Sequence, residues 1–185
     1  MGFKPSQLIR RGFVPPGVYT VHVHSCKATN SKAGNAMAEL DVEILSPATA
    51  IAFDSAGQPA EYKTEHTRFR AWWTLSPNDY LPDNIVKLQE LGVVLQADYP
   101  GPHEMIADAL AQLPKLIEHK VFETALTTRP NYARRPLTAE DIAAGITEGE
   151  ILRDPATGKE RILGHNVQMN LNGVCSPPRD ANAPY

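Results

Sequence analysis

The stretch that decides the fold runs from Gly17 to Leu75 and contains GVYTVHVHSC (17–26), MAELDVEIL (37–45) and HTRFRAWWTL (66–75). In the first segment Tyr19, Val21 and Val23 point one way, and Thr20, His22 and His24 the other. In the second, Ala38, Leu40, Val42 and Ile44 form an apolar row against Glu39, Asp41 and Glu43. In the third, Phe69, Ala71, Trp73 and Leu75 alternate with Arg68, Arg70, Trp72 and Thr74. Successive side chains of a strand leave opposite faces, so this period of two predicts three half-buried antiparallel strands. Thr29–Asn35 is a polar loop rich in turn residues. Ser46–Thr64, broken by Pro47, Gly57 and Pro59, reads as a longer connection.

Beyond Leu75 the period changes. Ile85, Leu88 and Leu91 share a helical stripe with Gly92 as its C-terminal stop. Met105, Ile106, Ala109, Leu110 and Leu113 mark a second helix over His103–Leu113, which Pro114 is expected to end. Lys120–Arg129 returns to strand character. Thr138-Ala139-Glu140-Asp141 is a capping-box variant, predicting a short helix to Ala144. Asp154–Gly158 is a turn between Glu150–Arg153 and Lys159–Leu163. Asn166–Val174 alternates again, with Val167, Met169 and Leu171 on the apolar side.

A chain of 185 residues, 42% hydrophobic and 21% charged, suits one domain with a sizeable core, and its 16 prolines suggest many turns. No apolar run is long enough to span a membrane, and Met1–Arg11 lacks the apolar stretch of a secretory signal. Cys26 and Cys175 make no disulfide framework. A cytoplasmic setting with both thiols reduced is the expectation, and a bridge between first and last strands is the alternative. The net charge of −3 is unevenly spread: residues 1–75 carry +2 and residues 76–185 carry −5. Lys120, Arg129, Arg134 and Arg135 face only Glu123 in their segment, and such local patches steer polyanions.

The order strand, strand, strand, helices, strand, insertion, strand is the plan of a five-stranded OB-fold barrel. The expected architecture is therefore mostly β. Residues 1–16 form an arm and 17–175 a single OB-fold domain. Helices lie between strands 3 and 4, an insertion of about 131–163 lies between strands 4 and 5, and 176–185 form a flexible tail.

Pro16-Gly17-Val18-Tyr19 opens the first strand. Lys27 and Asn30-Ser31-Lys32-Ala33-Gly34-Asn35 sit at the first hairpin, ahead of Met37–Ile44. Gly164-His165-Asn166-Val167 leads into a strand closing at Gly173-Val174. Together these resemble the small single-stranded DNA-binding proteins encoded by bacteriophages and prophages, which have an OB-fold core. The resemblance implies a non-enzymatic, largely sequence-nonspecific single-stranded DNA-binding protein of the bacterial host cytoplasm. It would act in phage DNA replication or recombination, with replication or recombination proteins as further partners, homo-oligomerisation open, and no cofactor, metal or membrane.

Single strands are held by a basic groove and by aromatic faces on which bases stack. Trp72, on the polar face between Arg70 and Thr74, is the stacking candidate, and packing under a loop is the alternative. A one-residue slip would exchange its role with Trp73. Arg68 and Arg70 flank it for phosphate contact, yet Glu39, Asp41 and Glu43 lie where cross-strand pairing would occupy them. Lys27 and Lys32 bracket the first hairpin loop, which can wrap a strand or be a solvated tip. Arg129, Tyr132, Arg134 and Arg135 interleave cations with an aromatic ring, and Asn166, Gln168 and Asn170 can bond base edges.

His22-x-His24, with His66 or Cys26, is an incomplete metal-ligand set. No phosphate loop or nucleophile elbow is present. The alternative function is a virion structural or assembly protein built on a β-barrel, for which the acidic second strand and Glu140–Glu150 argue.

Overall fold

The computed structural model describes residues 9–54, 56–78 and 80–181. They fall into two compact units, residues 9–127 with 167–181, and Thr128–Asn166. The first is built on a mainly antiparallel sheet. Its long strands are β1 (Gly17–Asn30), β2 (Ala36–Ser46), β5 (Arg68–Thr74), β6 (Lys120–Tyr132) and β7 (Ile162–Val174), in the order β5-β2-β1-β6-β7. No ladder joins β5 to β7 among the described residues, so the sheet path is open where the expected five-stranded OB-fold barrel would bring its ends together.

The predicted alternation becomes burial. Val21, Val23, Leu40, Val42 and Ile44 are fully buried, joined by Ala71, Trp73, Phe122, Leu126 and Met169. Register shifts in β1 lie at Thr20/Val21 and Val23/Ser25. The first explains why Tyr19 and Thr20 are both buried although simple alternation sends Thr20 outward: an extra residue in one strand re-aims its neighbours. The Tyr19 hydroxyl donates to the Pro15 carbonyl at 2.6 Å, anchoring the start of β1.

Three further differences have local causes. The Ser46–Thr64 connection contains a hairpin, β3 (Thr49–Phe53) and β4 (Pro59–Lys63). Its turn is held by Asp54, whose carboxylate accepts from the amides of Ala56 and Gln58. Gly57 supplies the φ of 73° there, which an L side chain rarely adopts. Helix α1 (Leu81–Glu90) begins one turn ahead of the Ile85 stripe and is capped by Leu91, after which Gly92 takes φ 101°. Helix α2 (Pro102–Ile117) continues through Pro114 rather than ending there. Pro114 removes one backbone bond, but the last turn carries Ile117 into the same buried stripe as Ile106, Leu110 and Leu113. This stripe packs on β1 and β2.

The expectation of a free tail from Ser176 also changes. β8 (Arg179–Asp180) pairs with β6, Lys120 pairs with Asp180, and the Ser176 hydroxyl accepts from the amide of Glu123. Residues 182–185 of that tail, and 1–8 of the expected arm, lie outside the described residues. Within the arm, Arg10 is fixed by backbone bonds to Glu61 and Lys63 of β4.

The second unit is somewhat longer than the expected 131–163 insertion. Backbone bonds link Ala133 to Leu152 and Arg161, and Arg135 to Glu150. Helix α3 (Ala139–Ala143) has the predicted capping box, with Thr138 and Asp141 bonded reciprocally. A Cβ at Gly149 would lie 1.9 Å from the Arg135 carbonyl oxygen, so only glycine fits that backbone contact.

Candidate nucleic-acid interface

The outward faces of β1, β2 and β5 align in cross-strand rows. His22, Glu43 and Arg68 form one, Asp41 and Arg70 another beside Ser25, and Lys27, Glu39 and Trp72 a third. The charges pair along the diagonals. Arg68 Nη2 lies 2.5 Å from Asp41 Oδ2, and Arg70 Nη1 lies 3.4 Å from Glu39 Oε1. Exposed pairs of this kind contribute about 0–1 kcal/mol each to stability, so they do not hold the sheet together. They do neutralise both arginines expected to meet phosphates.

Trp72 and Trp73 separate cleanly because the β2–β5 ladder runs without a register shift. Trp73 is buried, whereas Trp72 is 54% exposed, with no covering loop of the kind the packing alternative required. Beside it lies a cleft of about 290 Å³, lined by Trp72, Trp73, Thr74, Leu75, Asn84, Asn170, Leu171 and Asn172. It sits between the edge of β5, the start of α1 and the end of β7. An exposed indole next to three carboxamides offers one apolar plane and paired donors and acceptors. That combination suits a flat heterocycle with polar edges.

The remaining cations are distributed differently. Lys27 is exposed on β1 opposite Glu39, and Lys32 is exposed in the β1–β2 turn. Neither has an ion-pair partner among the described residues. In the second unit, Arg129 is exposed on β6 and Tyr132 is half-buried. Arg134 is held by Glu148 at 2.9 Å and by the Gly149 carbonyl at 2.9 Å. Arg135 is held by Asp141 at 2.8 Å and by the Pro136 carbonyl. Four of the seven arginines and lysines named from sequence, Arg68, Arg70, Arg134 and Arg135, therefore carry acidic partners placed within reach by strand or turn geometry.

Residues 1–115, more than half of the chain, match one family. The chain belongs to the family described as Protein of unknown function (DUF669). The DUF669 match spans β1 to β5 and α1 and ends within α2, so it includes Trp72, Asn84 and the outer-face ion pairs. No curated protein matches the sequence. A solved structure of a deletion mutant (delta 228-252 R190A) of the single-stranded DNA binding protein from Thermus aquaticus aligns at 11% identity with a TM-score of 0.31. The alignment covers 90% of this chain and 51% of that one, so this DUF669 chain spans about half the length of the solved protein. A likeness at that score carries no argument. No helix among the described residues is long and apolar enough to cross a membrane.

Asn84 and Asn172 are the cleft residues that sequence reasoning missed in this DUF669 chain. Asn84 reads as an ordinary polar position on a helical stripe. Asn172 lies just past the polar strand residues that were considered. Only the approach of α1 and β7 to the edge of β5 brings them beside Trp72.

Proposed function

We propose that this protein binds single-stranded DNA with little sequence preference, with Trp72 as the stacking platform and the adjoining asparagine cleft as the base subsite. The half-exposed Trp72 beside Asn84, Asn170 and Asn172 is the observation that carries it. Every base has a π-face, so stacking on an indole tolerates any sequence, and amides adapt to several base edges. The cleft lies near the lower end of ligand-pocket sizes, which suits one base better than a larger cofactor.

The strand plan supports the same assignment. Three long antiparallel strands, β1, β2 and β5, precede two helices, and β6 then returns beside β1, as in an OB-type barrel. Lys27 and Lys32, without an ion-pair partner among the described residues, supply positive charge on β1 and its turn. Arg129, exposed on β6 near Tyr132, supplies a further cation for phosphate contact, and Arg134 and Arg135 would have to exchange Glu148 and Asp141 for phosphate to join it. A role in phage or prophage DNA replication or recombination rests on the sequence resemblance.

Fluorescence titration with oligo-dT tests the proposal. Binding should quench tryptophan emission and weaken steeply with salt as counterions are released. Trp72→Ala should weaken it by about 1–3 kcal/mol with the fold intact. Absence of binding at low salt overturns the proposal, and unchanged affinity in Trp72→Ala overturns the site.

A second function, as an assembly protein, is favoured by one feature. The β3–β4 hairpin exposes Ile51 and Phe53, each more than 70% accessible. Light scattering would support it if the chain forms a defined oligomer that Phe53→Ser disperses and oligo-dT leaves unchanged.

A further inference from the structure

Three of the chain's six histidines gather around one carboxylate, two cross-strand rows away from Trp72. His22 and His24 leave β1 on the same face, their rings edge to face with centroids 4.3 Å apart. Glu43 lies directly across the ladder from His22. Its Oε2 is 2.6 Å from His24 Nε2, and its Oε1 is 2.8 Å from His66 Nδ1. One ligand atom from each of His22, His24 and Glu43 lies within 4.8 Å of the other two.

We propose that His22, His24 and Glu43 form a binding site for a divalent transition-metal ion of the zinc class. Zinc takes imidazole nitrogen and carboxylate oxygen at about 2.0–2.2 Å, which places tetrahedral ligand atoms about 3.4 Å apart. The distances here bracket that value, so small side-chain rotations bring the three donors to one ion. All three side chains are half-buried: their stems are fixed by the sheet while their tips stay open to solvent.

The surroundings suit a ligand set. His66 donates to the far oxygen of Glu43, fixing the plane of the carboxylate as outer partners do around metal sites. It reaches there from a left-handed backbone, φ 62°, uncommon for a residue with a side chain. Arg68, across the ladder from Glu43, pairs with Asp41 instead and leaves Glu43 to the histidines. Two imidazoles select zinc-class ions over magnesium or calcium, which prefer all-oxygen sets. Three protein ligands leave one position for water.

Calorimetric titration of the untagged full chain with zinc chloride at pH 7.5 tests this, with cobalt(II) as a spectroscopic probe. One saturable ion per chain is expected, with visible cobalt absorption and no comparable magnesium binding. His24→Ala and Glu43→Gln should each weaken zinc binding about tenfold or more, on the scale seen when metal-site partners are removed. His103→Ala should leave it unchanged. Nitrogen-15 spectra of the unmodified chain supply a check that needs no variant: zinc should shift the ring signals of His22 and His24, not those of His103. Absence of saturable binding overturns the proposal. So do zinc shifts confined to other histidines, or full affinity in both variants.

Discussion

The indole Nε1–H of Trp73 donates to the carbonyl of Met169 at 3.0 Å, tying β5 to β7, the two ends of the sheet path. These residues are 96 positions apart. A side chain thus bridges a gap that a backbone ladder would close in a complete barrel, and the cleft beside Trp72 opens along that gap. Trp73→Phe keeps an aromatic ring but leaves the buried carbonyl without its donor. It should cost about 1–3 kcal/mol in urea unfolding. Trp72→Phe, at an exposed position, should stay within about 0.5 kcal/mol of the parent. Equal losses in both would mean that the bond contributes nothing.

Glu39 and Asp41 hold Arg70 and Arg68 on the outer face. Their neutralisation in Glu39→Gln with Asp41→Asn should release both guanidinium groups and remove two repulsive charges. Affinity for oligo-dT should rise, and its salt dependence should steepen by about one unit of slope per phosphate gained. An unchanged slope would place the DNA path away from this face.

Thr124 is fully buried, and its hydroxyl has no hydrogen-bond partner among the described residues. The unmet desolvation of such a group costs about 1–3 kcal/mol. Valine has nearly the same shape without the hydroxyl, so Thr124→Val should raise the denaturation midpoint. A lowered midpoint would show that the hydroxyl is satisfied in solution.

Burial raises the Cys26 thiol to about 12, whereas Cys175 is exposed, and neither is in a disulfide. The thiolate is the reactive form, so an aromatic disulfide reagent at pH 8 should modify one thiol per native chain and two in denaturant. Fast modification of both in the native state would contradict the packing of β1.

Asp141 accepts from the Arg135 side chain and from the amide and hydroxyl of Thr138, which together hold its pKa well below the usual carboxylate range. Its stabilising contribution to the second unit is complete above about pH 4, the ordinary aspartate value. It is lost only as the pH falls toward the lowered value. The carboxyl carbon signal of Asp141 should therefore titrate at lower pH than that of an unpaired aspartate, and in Arg135→Ala its midpoint should move up. A midpoint near the ordinary value in the parent chain would contradict the ion pair.

Sequence alone determined the faces. The alternation of Val21, Leu40, Val42, Phe69 and Trp73 with His22, Asp41, Arg70 and Trp72 follows from strand geometry, since each side chain's side is set by its neighbours along one segment. The same holds for the Thr138–Asp141 capping box, a contact across three residues. What alternation cannot encode is which strand edges meet and how a bulge re-aims a residue. The hairpin within Ser46–Thr64, the open path between β5 and β7, and the burial of Thr20 were tertiary outcomes. The sites were too. Asn84 and Asn172 come beside Trp72, and Glu43 beside His22, His24 and His66, through contacts between segments distant in the chain. Arg68 and Arg70 found acids because strand register placed carboxylates within reach. Residue type marked Trp72 as a candidate stacking residue, but only the packed edge of the sheet supplied the cleft beside it.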